Sequence, residues 1–216
     1  MKKIILIPFL IFIVASASAQ SKFRLNGYAS YVFDDSFDEA NDVNTYFKGK
    51  VKGGLQWGGG LEFFTNPNYS VELIYLNKST TAPVEFRAGL ANPKRTENFD
   101  VSLHHILLAG NRFQQMGSGK VEGFGGLMLG VLISDVEAPS NGQSGSNTTF
   151  AWGGRVGTNI WMSDRIGLKL QAQILASTKA TGGDLYFSYY GPVVLEDYTT
   201  LWQFGLGGGL TFRIGK

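Results

Sequence analysis

The stretch IGLKLQAQIL, Ile166 to Leu175, decides the fold. Ile166, Leu168, Leu170, Ala172 and Ile174 share one parity, and Lys169, Gln171 and Gln173 share the other. A helix would repeat its apolar positions at three and four residues; strict alternation is the signature of a β-strand with two unlike faces. Seven further windows carry the same two-residue period. They are Lys22–Phe33, Val51–Phe64, Tyr69–Asn77, about Phe99–Ala109, Val121–Ser134, Thr149–Met162 and Tyr198–Ile214. None contains a proline, as expected of strands paired on both sides.

The apolar parity is taken as the outer face. It holds Leu25, Tyr31 and Phe33 in the first window, Val51, Leu55 and Trp57 in the second, and Val71, Leu73 and Tyr75 in the third. In the fourth it holds Phe99, Val101 and Leu103, with Asp100, Ser102 and His104 inward; that window then becomes apolar on both sides. Trp152, Trp202, Phe204 and Phe212 belong to the outer set as well. The other parity mixes glycine with Arg24, Glu62, Glu72, Asp100, Glu122, Arg155, Lys169 and Arg213. An eight-stranded barrel has an interior just wide enough to be filled by side chains. Large rings are too bulky to converge there, whereas glycines on one strand leave room for long charged chains from another. A lipocalin-like soluble barrel, the alternative, would put the apolar face inside. The polar-inside choice makes this an all-β, eight-stranded, antiparallel, up-and-down transmembrane barrel.

The connections support that plan. Links at Thr65–Asn68, Gly110–Lys120 and Ser163–Arg165 are short. Links at 34–50, 78–98, 135–148 and 178–197 are long and polar. The alternation gathers all long links at one end, as in barrels with short periplasmic turns and long extracellular loops. Apolar pieces inside them, VEF at Val84–Phe86 and LYFSYYG at Leu185–Gly191, are expected to prolong hairpins above the membrane and to offer contacts to an extracellular ligand.

The N-terminus fits export. Lys2 and Lys3 precede an apolar run from Ile4 to Val14, and Ala17-Ser18-Ala19 follows, so residues 1–19 read as a signal peptide and 20–216 as one barrel domain. There is no cysteine, which excludes disulfides and thiolate metal sites. Glycine occurs 29 times and Phe, Tyr and Trp 16, 9 and 4 times, a composition suited to turns and interfacial rings. The net charge of +2, with no basic cluster, gives no reason to expect nucleic acid.

Two stretches, GRVGTNIWMSDRIGLKLQAQIL (Gly154–Leu175) and LWQFGLGGGLTFRIG (Leu201–Gly215), resemble the small outer-membrane β-barrel proteins of Bacteroidota-type bacteria. In pattern the whole chain from residue 20 resembles the eight-stranded OmpA/OmpX-type barrels. The resemblance implies an outer-membrane location, contact with membrane lipid and lipopolysaccharide, and insertion by the barrel assembly machinery. Gly207, Leu210 and Phe212 match the family's insertion signal of glycine, apolar and aromatic residues, although the chain continues to Lys216.

Motifs for chemistry are sparse. GSGK at Gly117–Lys120 lacks the upstream glycine and following Ser/Thr of a phosphate-binding loop. DDSFDEAND, Asp34–Asp42, lacks the sixth-position glycine of a calcium loop. His104 and His105 are adjacent, so they point to opposite faces, His104 to the lumen and His105 to the membrane interface. At the spacing where barrel deacylases place a serine after histidine stand Ile106 and Leu107. No enzyme, cofactor or metal is expected. The inner charges can pair and plug the lumen, since buried charges need partners. The reading is a monomeric structural or surface-interaction barrel, with a narrow solute channel as the alternative.

Overall fold

The computed structural model describes residues 23–42, 45–88, 95–117, 119–140, 142–178, 184–188, 191–195 and 201–215. The expected signal peptide and Lys22 lie outside them. So do parts of the long links, and the side chains of Leu185–Gly191.

Among the described residues twelve strands follow in order: β1 Phe23–Val32, β2 Asp35–Asp42, β3 Thr45–Val51, β4 Gly54–Asn66, β5 Tyr69–Ala88, β6 Arg95–Met116, β7 Val121–Ala138, β8 Gln143–Trp161, β9 Ile166–Thr178, β10 Asp184–Ser188, β11 Gly191–Leu195 and β12 Leu201–Ile214. All pairings are antiparallel, and β1 pairs with both β4 and β12, which closes a ring of β1, β4, β5, β6, β7, β8, β9 and β12. This is the eight-stranded up-and-down barrel that the alternation predicts. Closure leaves the ring itself without an exposed edge.

The long links are largely strand. A membrane-crossing strand needs about 9–11 residues; β5 has 20 and β6 has 22, so both rise far beyond a bilayer. The second window is two strands. The chain bends at Lys52-Gly53, above which β3 takes the place of β4 beside β5. Asp34 Oδ1 accepts from the Gly53 amide at 2.5 Å and fixes this bend. The expected Gly110–Lys120 link shrinks to Gly117–Lys120, because β6 continues to Met116.

One band of the outer wall is apolar and exposed, including Leu61, Leu73, Leu127, Leu129, Leu170 and Leu206. Aromatic rings gather toward the long-strand end. Trp152 and Trp202 meet edge-on at 5.7 Å and Phe33 stacks on Phe204 at 5.5 Å. Such a belt is costly in water and stable in lipid.

Above the belt the polarity inverts, and here the expected register fails. Phe99, Val101 and Leu103 point inward and are 0 %, 4 % and 2 % exposed, while Asp100 stands exposed on the outer wall. Val51, expected outside, is buried as well. The cause is the surrounding medium. Where the wall leaves lipid for water, the stable arrangement becomes apolar inside and polar outside. Phe99, Val101 and Leu103 join Ala82, Val84, Leu107, Leu132, Val136 and Leu175 in an apolar cluster that fills the upper lumen. The same parity turns His105 inward, 1 % exposed, and His104 outward, the reverse of the expectation.

Candidate functional site

Below that cluster the lumen is polar and layered. Glu62 on β4 and Glu72 on β5 are register partners, so two buried carboxylates lie side by side. Like charges opposite one another are destabilising. Arg155, inward on β8, offsets this. Its Nη2 donates to Glu72 and to Asn111 Oδ1 (2.9 Å), and its Nη1 donates to Tyr28 Oη at 3.0 Å. Glu62 accepts from Ser70 Oγ at 2.5 Å and from Asn111 Nδ2 at 3.0 Å. Asn26 Nδ2 reaches Glu72 at 2.8 Å, and the Tyr28 hydroxyl also donates to Glu72. Each carboxylate therefore accepts several hydrogen bonds, the condition under which buried charge is tolerated.

Lys169 completes the charge balance of this layer, two acids against two bases. It makes no direct pair among the described residues. Its Nζ lies 4.3 Å from the Phe124 ring centre and 5.8 Å from that of Tyr28, and it is fully buried. Over aromatic faces a cation keeps part of the stabilisation it loses with water.

The layer beneath is an aromatic cage with one ion pair. Arg24 on β1 reaches across to Glu122 on β7, Nη1–Oε2 2.7 Å and Nη2–Oε1 3.1 Å. Asn159 Nδ2 donates to the same carboxylate at 3.0 Å. The guanidinium sits over Phe64, Trp161 and Phe113 at 4.1, 4.9 and 5.1 Å.

Two of the eight expected lumen charges stand elsewhere. Asp100 is on the outer wall above the membrane, for the solvation reason given above. Arg213 lies at the lower rim, its guanidinium 3.5 Å over Trp161, with Nη1 donating to the Asp164 carbonyl at 3.3 Å. There it caps the cage, within electrostatic reach of Glu122 and Asp164. Conversely, Asn111 and Phe113 were hidden in the sequence because they fall in what reads as a link, although Asn111 joins Arg155 to Glu62. Asn26, Tyr28 and Asn159 carry the inward parity, but parity says nothing of their partners.

Above the charge layer Gln173 Nε2 donates to Gln56 Oε1 at 2.5 Å and Gln171 Nε2 to Gln173 Oε1 at 3.2 Å. Outside, His104 Nδ1 meets the Tyr75 hydroxyl at 2.8 Å and Asn77 Nδ2 at 3.0 Å, and His104 Nε2 lies 3.6 Å from Asp135.

Gly207 and Gly209 of the last strand have a different purpose from the one their parity suggests. A Cβ on Gly209 would stand 1.7 Å from the Gly27 carbonyl oxygen, and one on Gly207 would stand 2.3 Å from that of Ala29. They let β12 approach the β1 backbone at the closing seam. Room for a polar side chain is left at Gly60, where a Cβ would strike the Glu72 carboxylate, and at Gly205, where it would crowd Gln173. Leu210 is exposed to the belt and Phe212 half-exposed.

No family model matches the chain, nor does any curated protein sequence. Solved structures do. Neisserial surface protein A aligns over 92 % of this chain and 100 % of its own, with a TM-score of 0.55 and 12 % identity. The outer membrane protein OprG of Pseudomonas aeruginosa aligns over 89 % and 96 %, with a TM-score of 0.53 and 15 % identity. At such identity the likeness is one of fold. Fold and lipid-facing belt together make this chain an integral barrel of the bacterial outer-membrane type.

Proposed function

We propose that the protein is a monomeric, non-conducting, non-enzymatic outer-membrane barrel with a structural or surface-interaction role. On this reading residues 1–19 direct export. Gly207, Leu210 and Phe212 form part of the signal read by the barrel assembly machinery, and lipopolysaccharide surrounds the upper wall. The observation that carries the reading is the stacking of three closures in one lumen. They are the Arg24–Glu122 cage, the Arg155–Glu72–Glu62 layer and the apolar cluster around Phe99 and Leu132. A solute would have to break two buried charge clusters and then cross a dry layer. Extracellular contact would fall to the tall wall of β5–β8 and to the hairpins β2–β3 and β10–β11.

Planar-bilayer recording tests this. The wild-type barrel should insert without steady conductance, and Arg155→Ala should not open it while the apolar cluster is intact. A steady wild-type conductance sensitive to Arg155 would establish the channel reading in its place. That second reading has one observation behind it: Gln56 Nε2, Gln171 Oε1, Lys169 Nζ and both amide atoms of Gln203 are buried without a protein hydrogen-bond partner among the described residues. Groups of that kind also line polar paths.

A further inference from the structure

On the lipid-facing wall a groove of about 770 Å³ runs from β5 across to β12. Val71, Leu127, Val156, Ile174 and Phe204 form its ridges, all exposed. Its floor is Gly110, Gly125, Gly154 and Ala172. The volume falls in the range of about 300–1,000 Å³ typical of small-molecule sites.

The floor glycines differ from those that the wall's own backbone requires. A Cβ on Gly58, Gly207 or Gly209 would strike a neighbouring backbone oxygen at 2.0, 2.3 or 1.7 Å, so the backbone itself requires glycine there. At Gly110 a Cβ would meet nothing within 4 Å; at Gly125 and Gly154 the nearest atoms lie at 3.8 and 3.7 Å, ordinary contact. Nothing in the barrel's packing demands that these three be glycine. Their effect is to hollow the outer surface.

One end of the groove is polar. Arg112 and Tyr69 line it, as register partners on β6 and β5, with the guanidinium 5.9 Å from the tyrosine ring. No Asp or Glu lines the groove. Tyr69 directly follows the Pro67-Asn68 turn, so this is the short-turn end, which faces the periplasm in outer-membrane barrels. Lipopolysaccharide occupies the opposite leaflet. The lipid within reach of Arg112 is a glycerophospholipid, whose phosphate fits the planar donor fork of arginine.

We propose that this groove binds one glycerophospholipid of the periplasmic leaflet, its acyl chain over Gly110, Gly125 and Gly154 and its phosphate on Arg112. The inference rests on the membrane reading above. A barrel in lipid is surrounded by exchanging chains; a groove with a cation at its mouth selects one and slows its exchange.

Native mass spectrometry of the full chain, released from nanodiscs of phosphatidylglycerol, tests it. The wild type should retain one phosphatidylglycerol. Gly125→Leu combined with Gly154→Leu fills the groove without a backbone clash and should abolish the adduct. Arg112→Gln should lower retention about tenfold, the order expected for one charge-assisted hydrogen bond. Diacylglycerol, which lacks the phosphate, should be retained no better by the wild type than by Arg112→Gln. An adduct that survives groove filling overturns the site, and equal retention of diacylglycerol and phosphatidylglycerol overturns the role of Arg112. Preferential retention of lipopolysaccharide overturns the leaflet assignment. Heat-modifiable gel mobility, measured on every variant, separates these outcomes from failure of the barrel reading, in which no variant would insert at all.

Discussion

Arg24 and Glu122 lie 98 residues apart in sequence and meet across the lumen through two hydrogen bonds. Glu62 is the register neighbour of Arg24 on the adjacent strand, yet Arg24 reaches past it. The reason is the neighbourhood: Glu62 is already held by Ser70 and Asn111, whereas Glu122 has the cage of Phe64, Phe113 and Trp161 around its partner. Removing one member strands the other in a dry site. Arg24→Ala should therefore cost about 3–5 kcal/mol in urea unfolding from vesicles, and the apolar double replacement Arg24→Met with Glu122→Leu should cost much less. If the double variant is as unstable as the single one, the pair contributes more than its charge balance and this account is wrong.

The seam between β1 and β12 separates two kinds of glycine within a few ångströms. Gly209→Ala drives a methyl into the Gly27 carbonyl and should prevent closure, read as loss of the heat-modifiable gel form. Gly27→Ala meets open space and should fold normally, with stability unchanged or raised by up to about 1 kcal/mol through a stiffer unfolded chain. Leu206→Ile, on the lipid face, should be silent. Normal folding of Gly209→Ala would mean that the seam is looser than its geometry implies.

The fold was legible in the sequence because each crossing strand separates two media. Ile166 to Leu175 reads correctly, since lipid lies on one side of it and the Lys169–Gln173 lumen on the other. Legibility ended where one medium changed. At Phe99–Leu103 the outside becomes water, the apolar side turns inward, and a rule that equates apolar with outward gives Asp100 and His104 the wrong face. Partners inside the lumen were never legible. Arg155 to Glu72 and Arg24 to Glu122 span the barrel, and their meeting depends on register and shear, which alternation does not encode.

That inversion is open to test at adjacent residues. Phe99→Ala removes a fully buried ring from the upper cluster and should cost about 3–5 kcal/mol. Asp100→Asn alters only a solvated outer side chain and should stay within about 0.5 kcal/mol. Were Phe99 on lipid and Asp100 in the lumen, the order of the two effects would reverse. Paired unfolding curves of the two variants in the same vesicles settle the direction.

The bend between β3 and β4 carries a pH dependence of known sign. Asp34 is held below the usual carboxylate range, first by its hydrogen bond from Lys50 and then by the one from the Gly53 amide. A carboxyl group whose folded pKa lies below its unfolded value of about 3.9 stabilises the folded form above that value. The contribution is lost as pH falls through the folded pKa. Protection of the Gly53 amide against hydrogen exchange should therefore be constant through neutral pH and decline only in acid. Lys50→Met should shift the decline toward higher pH, and salt should shift it in the same direction, because Asp34 is fully exposed and its pair is screened. Protection that falls between pH 6 and 8, or a midpoint unmoved by Lys50→Met, would show that Asp34 does not fix this bend.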